Sequence, residues 1–213
     1  MISSIKRTCG DCTLCCKVMA IEALAKPANA WCRHCKPGRG CAIYAERPTE
    51  CENFACLWLV NDLLDERWKP SRSKLVLTTS EDGIEVRSDP GFPDAWRKQP
   101  YADDIRAWAV EGETSNMTVV VIVGQRMILV TPDREFDLGV VGPDERIVRE
   151  LEGTKVVGAA VVKESARSIR GAAPRRLSRR PLDLASQDHA IDGCKSCRAR
   201  HSIPNRASRE SNG

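Results

Sequence analysis

Cys9-Gly10-Asp11-Cys12-Thr13-Leu14-Cys15-Cys16, read as CGDCTLCC, sets four thiols within eight residues. Thiols this crowded serve disulfides, a zinc site, an iron–sulfur cluster or a reactive redox centre. The choice decides how the segment folds, because whatever joins the sulfurs also shapes the chain. Nine of the eleven cysteines fall between Cys9 and Cys56, and none lies between Cys56 and Cys194. At the N-terminus, Lys6 and Arg7 lead into the cysteines with no apolar run of signal-peptide length. The compartment expected on that basis is the cytoplasm. Thiols stay reduced there, so dense cysteine points to metal or redox chemistry over a disulfide scaffold. No stretch has the length of a transmembrane helix, which argues against a membrane partner; TVVVIVG at Thr118–Gly124 is strand-sized.

Two pairs, Cys9-x2-Cys12 and Cys32-x2-Cys35, stand 19 residues apart, within the spacing of four-thiolate zinc sites. Each pair can form a tight turn that aims both sulfurs at one ion. Cys15, Cys16, Cys41, Cys51 and Cys56 remain, enough for a second site. The same residues admit an iron–sulfur reading. Cys9-x2-Cys12-x2-Cys15 repeats the first three ligands of a bacterial ferredoxin run, but Cys16 follows at once where three intervening residues are usual. Zinc and iron both accept all-thiolate ligation, and the choice stays open at this level. Cys51 and Cys56 are five apart, so on a regular helix their side chains would diverge by about 140°. Either the segment is not regular there or one of the two is not a ligand; the expected ligands are Cys9, Cys12, Cys15, Cys16, Cys32, Cys35, Cys41 and Cys51, with Cys56 read most simply as a buried thiol. His34 reads as a solvated loop residue.

The run Cys9-x2-Cys12-x2-Cys15-Cys16, followed by GCAIYAERPTEC at Gly40–Cys51 and by Phe54, resembles the zinc- or iron-chelating cysteine-cluster family (YkgJ-type). Cys41, Ile43, Tyr44, Arg47, Pro48 and Cys51 match that family's second segment one by one. The resemblance covers roughly the first 60 residues. It implies metal chelation by the cysteines and no particular reaction; a similar cluster in flagellin lysine methylases implies an iron–sulfur centre. Arg47 near thiolates could donate hydrogen bonds to sulfur, and Pro48 is most simply a helix-start residue. Tyr44 and Trp58 read as core or cluster-shielding side chains.

The organisation expected is a cysteine-rich metal-binding domain at 1–70, a small α+β domain at 71–164 and a basic, disordered tail at 165–213. The first segment has too few large apolar residues to fold without cross-links. Its last part, from Pro48 with Phe54, Leu57, Trp58 and Leu64 at helical spacing, reads as a helix. In the second, Lys74–Thr79 and Ile84–Ser88 read as a hairpin and Tyr101–Glu111 as a helix. Thr118–Val123 and Arg126–Thr131 read as a second hairpin, extended by Glu135–Val140. Pro143–Glu152 reads as a short helix, with Ile147, Val148 and Leu151 its buried face and Gly153 just past its end. Val156–Val162 reads as a last strand. The fold class is α+β, a small antiparallel sheet with helices on one face.

The chain is 42% hydrophobic and 29% charged, slightly polar for a fully globular protein of its size. Residues 165–213 carry 11 Lys and Arg against 4 Asp and Glu, a net of +7, which leaves −3 for the preceding 164. That tail lacks interleaved aromatics, which argues against nucleic acid as a partner. Cys194 and Cys197, with His201, offer three ligands and no evident fourth, and read as a chance pair. No Ser/His/Asp set, HExxH or glycine-rich phosphate loop stands outside the cysteines, and no protein partner is implied. The leading expectation is a metal-chelating protein. An iron–sulfur redox protein or oxidoreductase and a zinc-stabilised adaptor are the alternatives.

Overall fold

A computed structural model of the chain describes residues 7–80 and 82–163, which belong to one compact unit. The expectations for the tail, Cys194 and Cys197 among them, lie outside those residues. Up to Ser73 every element is short: α1 (Cys15–Val18), β1 (Cys35–Lys36), β2 (Gly40–Cys41), α2 (Thr49–Asn53), α3 (Leu57–Val60) and α4 (Pro70–Ser73). None exceeds five residues, far below the length at which a helix holds itself in water. They are held by what they pack against.

That support is a sheet of β3 (Leu75–Ser80), β4 (Gly83–Ser88), β5 (Thr118–Val123), β6 (Arg126–Val130) and β7 (Glu135–Val140), in that spatial order. Neighbours joined by tight turns pair antiparallel. β4 and β5 pair parallel, Val86 opposite Val121, because α5 (Tyr101–Ser115) carries the chain back to the end from which β4 started. The α+β class stands, with one parallel pairing inside it. The pleat sends alternate residues to opposite faces. Leu75, Leu77, Val86, Val119, Val121 and Val130 pack against Ile105 and Ala109 of α5 and against Trp58, Leu64, Trp68 and Trp96. On the opposite face, Val120, Ile122 and Leu129 meet Val156, while Val76 meets Leu14 and Val18.

The cysteine-rich segment therefore straddles β3, the edge strand. Trp58, Leu64 and Trp68 lie in the main core, and Leu14 and Val18 lie on the opposite face. Cys56 packs against both clusters. Covering β3 in this way also buries an edge that would otherwise invite pairing with another chain. Polar ties add register. Lys17 Nζ meets Asp89 Oδ1 at 2.5 Å just past β4, and Asn29 Nδ2 donates to the Gly124 carbonyl at 2.9 Å in the β5–β6 turn.

Two sequence expectations are corrected. Pro143–Glu152 is not a helix; its core is β8 (Glu145–Glu152), paired antiparallel with β9 (Lys155–Lys163). Ile147, Val148 and Leu151 suit a helical face, but Glu145–Glu150 also alternates between half-buried and exposed, with Ile147 inward and Val148 outward. Gly153, at φ +64, turns the chain so that Ile147 faces Val161, and that partner selects the extended form. The helix expected from Pro48 onward is also broken. Pro48 precedes α2, Phe54 and Cys56 are extended, and α3 begins afresh at Leu57. Phe54 turns toward Leu14, Val18 and Val76, whereas Trp58 enters the main core, so a single stripe could not have served both. No helix among the described residues is long and apolar enough to cross a membrane.

Candidate metal centre

Each Cys-x2-Cys pair closes a turn. The Cys12 N–H donates to the Cys9 carbonyl at 2.8 Å, and the Cys35 N–H to the Cys32 carbonyl at 3.0 Å. Gly10 takes φ +49 in the first, a left-handed conformation that glycine reaches without steric cost. The Cys32 N–H donates to the Cys16 carbonyl at 3.0 Å, which lays the second turn beside α1. Cys41 stands opposite Cys35 in the β1–β2 pairing. Cys51 sits within α2, and Cys56 in the extended step before α3.

All nine thiols of Cys9–Cys56 line one cavity of about 300 Å³. None is joined in a disulfide. The eight ligands expected from spacing are therefore gathered in one place, and Cys56 joins them. The sequence left open whether the segment is a regular helix, and the break at Phe54–Cys56 shows that it is not. The sulfurs stand around the walls. Among the described residues, no three Cys, His, Asp or Glu side chains converge closely enough to hold an ion as they lie. A χ1 step between staggered wells carries Sγ about 3 Å, so convergence is within reach of side-chain rotation.

The electrostatics are those of crowded, partly buried thiols. Burial pushes Cys9, Cys51 and Cys56 up. Cys35 is pushed up to about 12, by burial first and then by the charge of Cys16. Cys16 moves the other way. Its sulfur accepts hydrogen bonds from the Cys15 and Cys35 thiols, with the Lys26 ammonium nearby, and this lowers it against the effect of burial. Cys15, as the donor, is driven up. Lys26 is buried, and its Nζ donates to the carbonyls of Lys17 (2.8 Å) and Met19. Sequence reasoning missed it, since a lone lysine before Pro27 carries no motif.

The rim carries Tyr44, Arg47 and His34. Arg47 lies over the Tyr44 ring at 4.0 Å and donates to the Tyr44 carbonyl at 3.0 Å, so its guanidinium is spent on tyrosine rather than on sulfur. Tyr44 is 59% exposed and so is no core residue. His34 is half-buried on the cavity wall, its Nε2 accepting from Arg33 Nε at 3.1 Å. Trp58 is buried, and its Nε1–H has no hydrogen-bond partner. Trp58 also lines the cavity. Leaving such a donor unpaired costs about 1–3 kcal/mol. The donor set is soft sulfur throughout, which suits zinc or iron. In comparisons with known proteins, the chain matches no family model, no curated protein and no solved structure.

Proposed function

We propose that the chain is a cytoplasmic metal-chelating protein of the cysteine-cluster kind, binding zinc or iron through the thiolates of Cys9, Cys12, Cys15, Cys16, Cys32, Cys35, Cys41 and Cys51. The observation that carries this is the assembly of nine unpaired thiols around one cavity, from stretches of chain as far apart as Cys9 and Cys56. A structural core gains little from eight half-buried thiols and one buried one, whereas a soft cation takes four thiolates at about 2.3 Å. Most of the thiols are held neutral by burial and crowding, so uptake displaces protons and affinity rises with pH.

An iron–sulfur centre is the second reading. It is favoured by Cys9-x2-Cys12-x2-Cys15, which repeats the first three ligands of a bacterial ferredoxin run. Purification under anaerobic conditions from iron-supplied cells, followed by zinc, iron and sulfide analysis and a visible spectrum, separates the two. Stoichiometric zinc without sulfide eliminates the cluster. Brown, sulfide-bearing protein establishes it. Protein free of every metal, with its thiols intact, overturns the metal reading altogether.

A further inference from the structure

We propose that a second cavity, where β5 begins and β6 ends, binds a small zwitterion with an apolar side chain, the chemistry of a free aliphatic amino acid. It shares no lining residue with the thiol cavity, and the proposal stands whether or not the thiols hold a metal. The cavity holds about 160 Å³ between the last turns of α5, the strand ends and the β8–β9 turn. Val119, Leu129, Val130 and Val156 give it apolar walls. Two polar ties set the β8–β9 hairpin over the strand ends. Arg149 Nη2 donates to Asn116 Oδ1 at 3.0 Å just past α5, and Lys155 Nζ meets Asp133 Oδ2 at 3.1 Å between β6 and β7.

The lining carries two charged side chains of opposite sign, Glu113 and Arg149. Among the described residues neither forms an ion pair. Glu113 is half-buried on α5, and its Oε1 is buried with no hydrogen-bond partner. The last torsion of a glutamate is soft and roughly two-fold, so either oxygen can turn to the cavity. Arg149 spends one of its five N–H donors on Asn116. The hydroxyls of Thr114, Thr118 and Thr131 are committed already, to the carbonyls of Glu111, Asp82 and Arg134, each at 2.9 Å. Charge then selects the ligand. A plain cation would face Arg149, and a plain anion would face Glu113. A molecule carrying both signs answers both, its ammonium toward Glu113 and its carboxylate on the guanidinium fork, which matches two oxygens. Size narrows it further. A cavity of roughly 150 Å³ admits a benzene-sized body, whereas drug-sized ligands occupy about 300 Å³ or more.

The test is amide NMR of the full, reduced, isotope-labelled chain titrated with L-valine. Three probes each lack one element of it: isobutylamine the carboxylate, isovalerate the ammonium, glycine the side chain. Valine should shift the amides of Leu129, Val130 and Val156, and each probe should bind at least about tenfold more weakly. Glu113→Gln and Arg149→Met should each weaken valine by a similar factor while leaving amides far from the cavity unmoved. No shift by valine at millimolar concentration overturns the proposal. So does equal binding by either single-charge probe, undiminished binding in a folded variant, or a set of shifts centred on the thiol cavity. Where a variant does not fold, the wild-type titrations decide on the same criteria.

Discussion

Val76→Ala asks whether the cysteine segment is a passenger on the sheet or part of its core. Val76 is fully buried in β3 and packs against Leu14 and Val18, which bracket Cys15 and Cys16. The substitution removes the equivalent of two methylenes at about 0.8 kcal/mol each. Incomplete collapse of the space adds to that, giving about 2–3 kcal/mol in all. For a chain of this length the melting temperature should fall by about 4–12 °C. The control is Val121→Ala, equally buried but on the α5 face. It should cost a similar amount of stability while leaving α1 seated. The assay is urea unfolding of the reduced, metal-free chain, read by tryptophan fluorescence and far-UV circular dichroism, with Co2+ uptake measured in parallel. Val76→Ala should lower stability and weaken metal uptake; Val121→Ala should lower stability alone. A loss under about 0.5 kcal/mol would refute the docking argument. Two separate unfolding transitions, the cysteine segment melting first, would refute it as well.

Two further predictions concern the backbone and the thiols. A Cβ on Gly83, at φ +146, would stand 2.0 Å from the Thr118 carbonyl oxygen, against the backbone of β5. Gly83→Ala should therefore cost more than about 3 kcal/mol. Gly124→Ala, at φ +64 with open space around it, should cost about 1–2 kcal/mol; equal melting temperatures would count against the parallel β4–β5 register. In the metal-free chain at pH 7, iodoacetamide should label Cys16 before Cys15 and Cys35, because its thiol is pulled down to about 6. Cys15→Ala removes the strongest donor to it and should slow that labelling, whereas first labelling at Cys15 or Cys35 contradicts the assignment. The linkage has two signs. Ionised Cys16 stabilises the fold above the ordinary thiol value near 9, and that contribution is lost as pH falls toward about 6. Neutral Cys35 contributes below 9, and its contribution is lost as pH rises toward about 12. Urea midpoints measured across this range should peak near pH 9.

Much of the sheet could be read from alternation and turns, because β3–β7 and α5 each carry one dominant period. Residues 143–152 failed because Ile147, Val148 and Leu151 satisfy a helical face as well as a pleat, and the partner that decides is β9, beyond the window of a local pattern. That these thiols belong together was legible from spacing, and the fold gathers all nine around one cavity. How the chain brings them there was not, because it depends on the Cys16–Cys32 backbone contact and on a helix break that a periodic reading smooths over. The composition shift near residue 70 is real in the sequence, but Trp58, Leu64 and Trp68 share a core with Leu75 and Leu77 across it. Composition follows chemistry there, while packing follows apolar surface.

Helices of four or five residues leave most of their carbonyls without partners, and this chain supplies donors from elsewhere. Arg7 donates to the carbonyls of Trp58 (2.6 Å), Asn61 (3.0 Å) and Leu64 (2.5 Å) around the end of α3. Lys26 does the same for Lys17 and Met19 at the end of α1. Both donors are cations: Arg7 lies over the ring of Trp58, itself a cavity-lining residue, and Lys26 lies among Cys32, Cys16, Cys15 and Cys51. Four thiolates on one divalent cation leave a charge of −2, which a partly buried site cannot carry cheaply without compensation. Neutral caps such as serine or asparagine would satisfy the same carbonyls and leave that charge unanswered. Lys26 thus joins two roles, closing a helix too short to close itself and standing as a buried cation among the thiols.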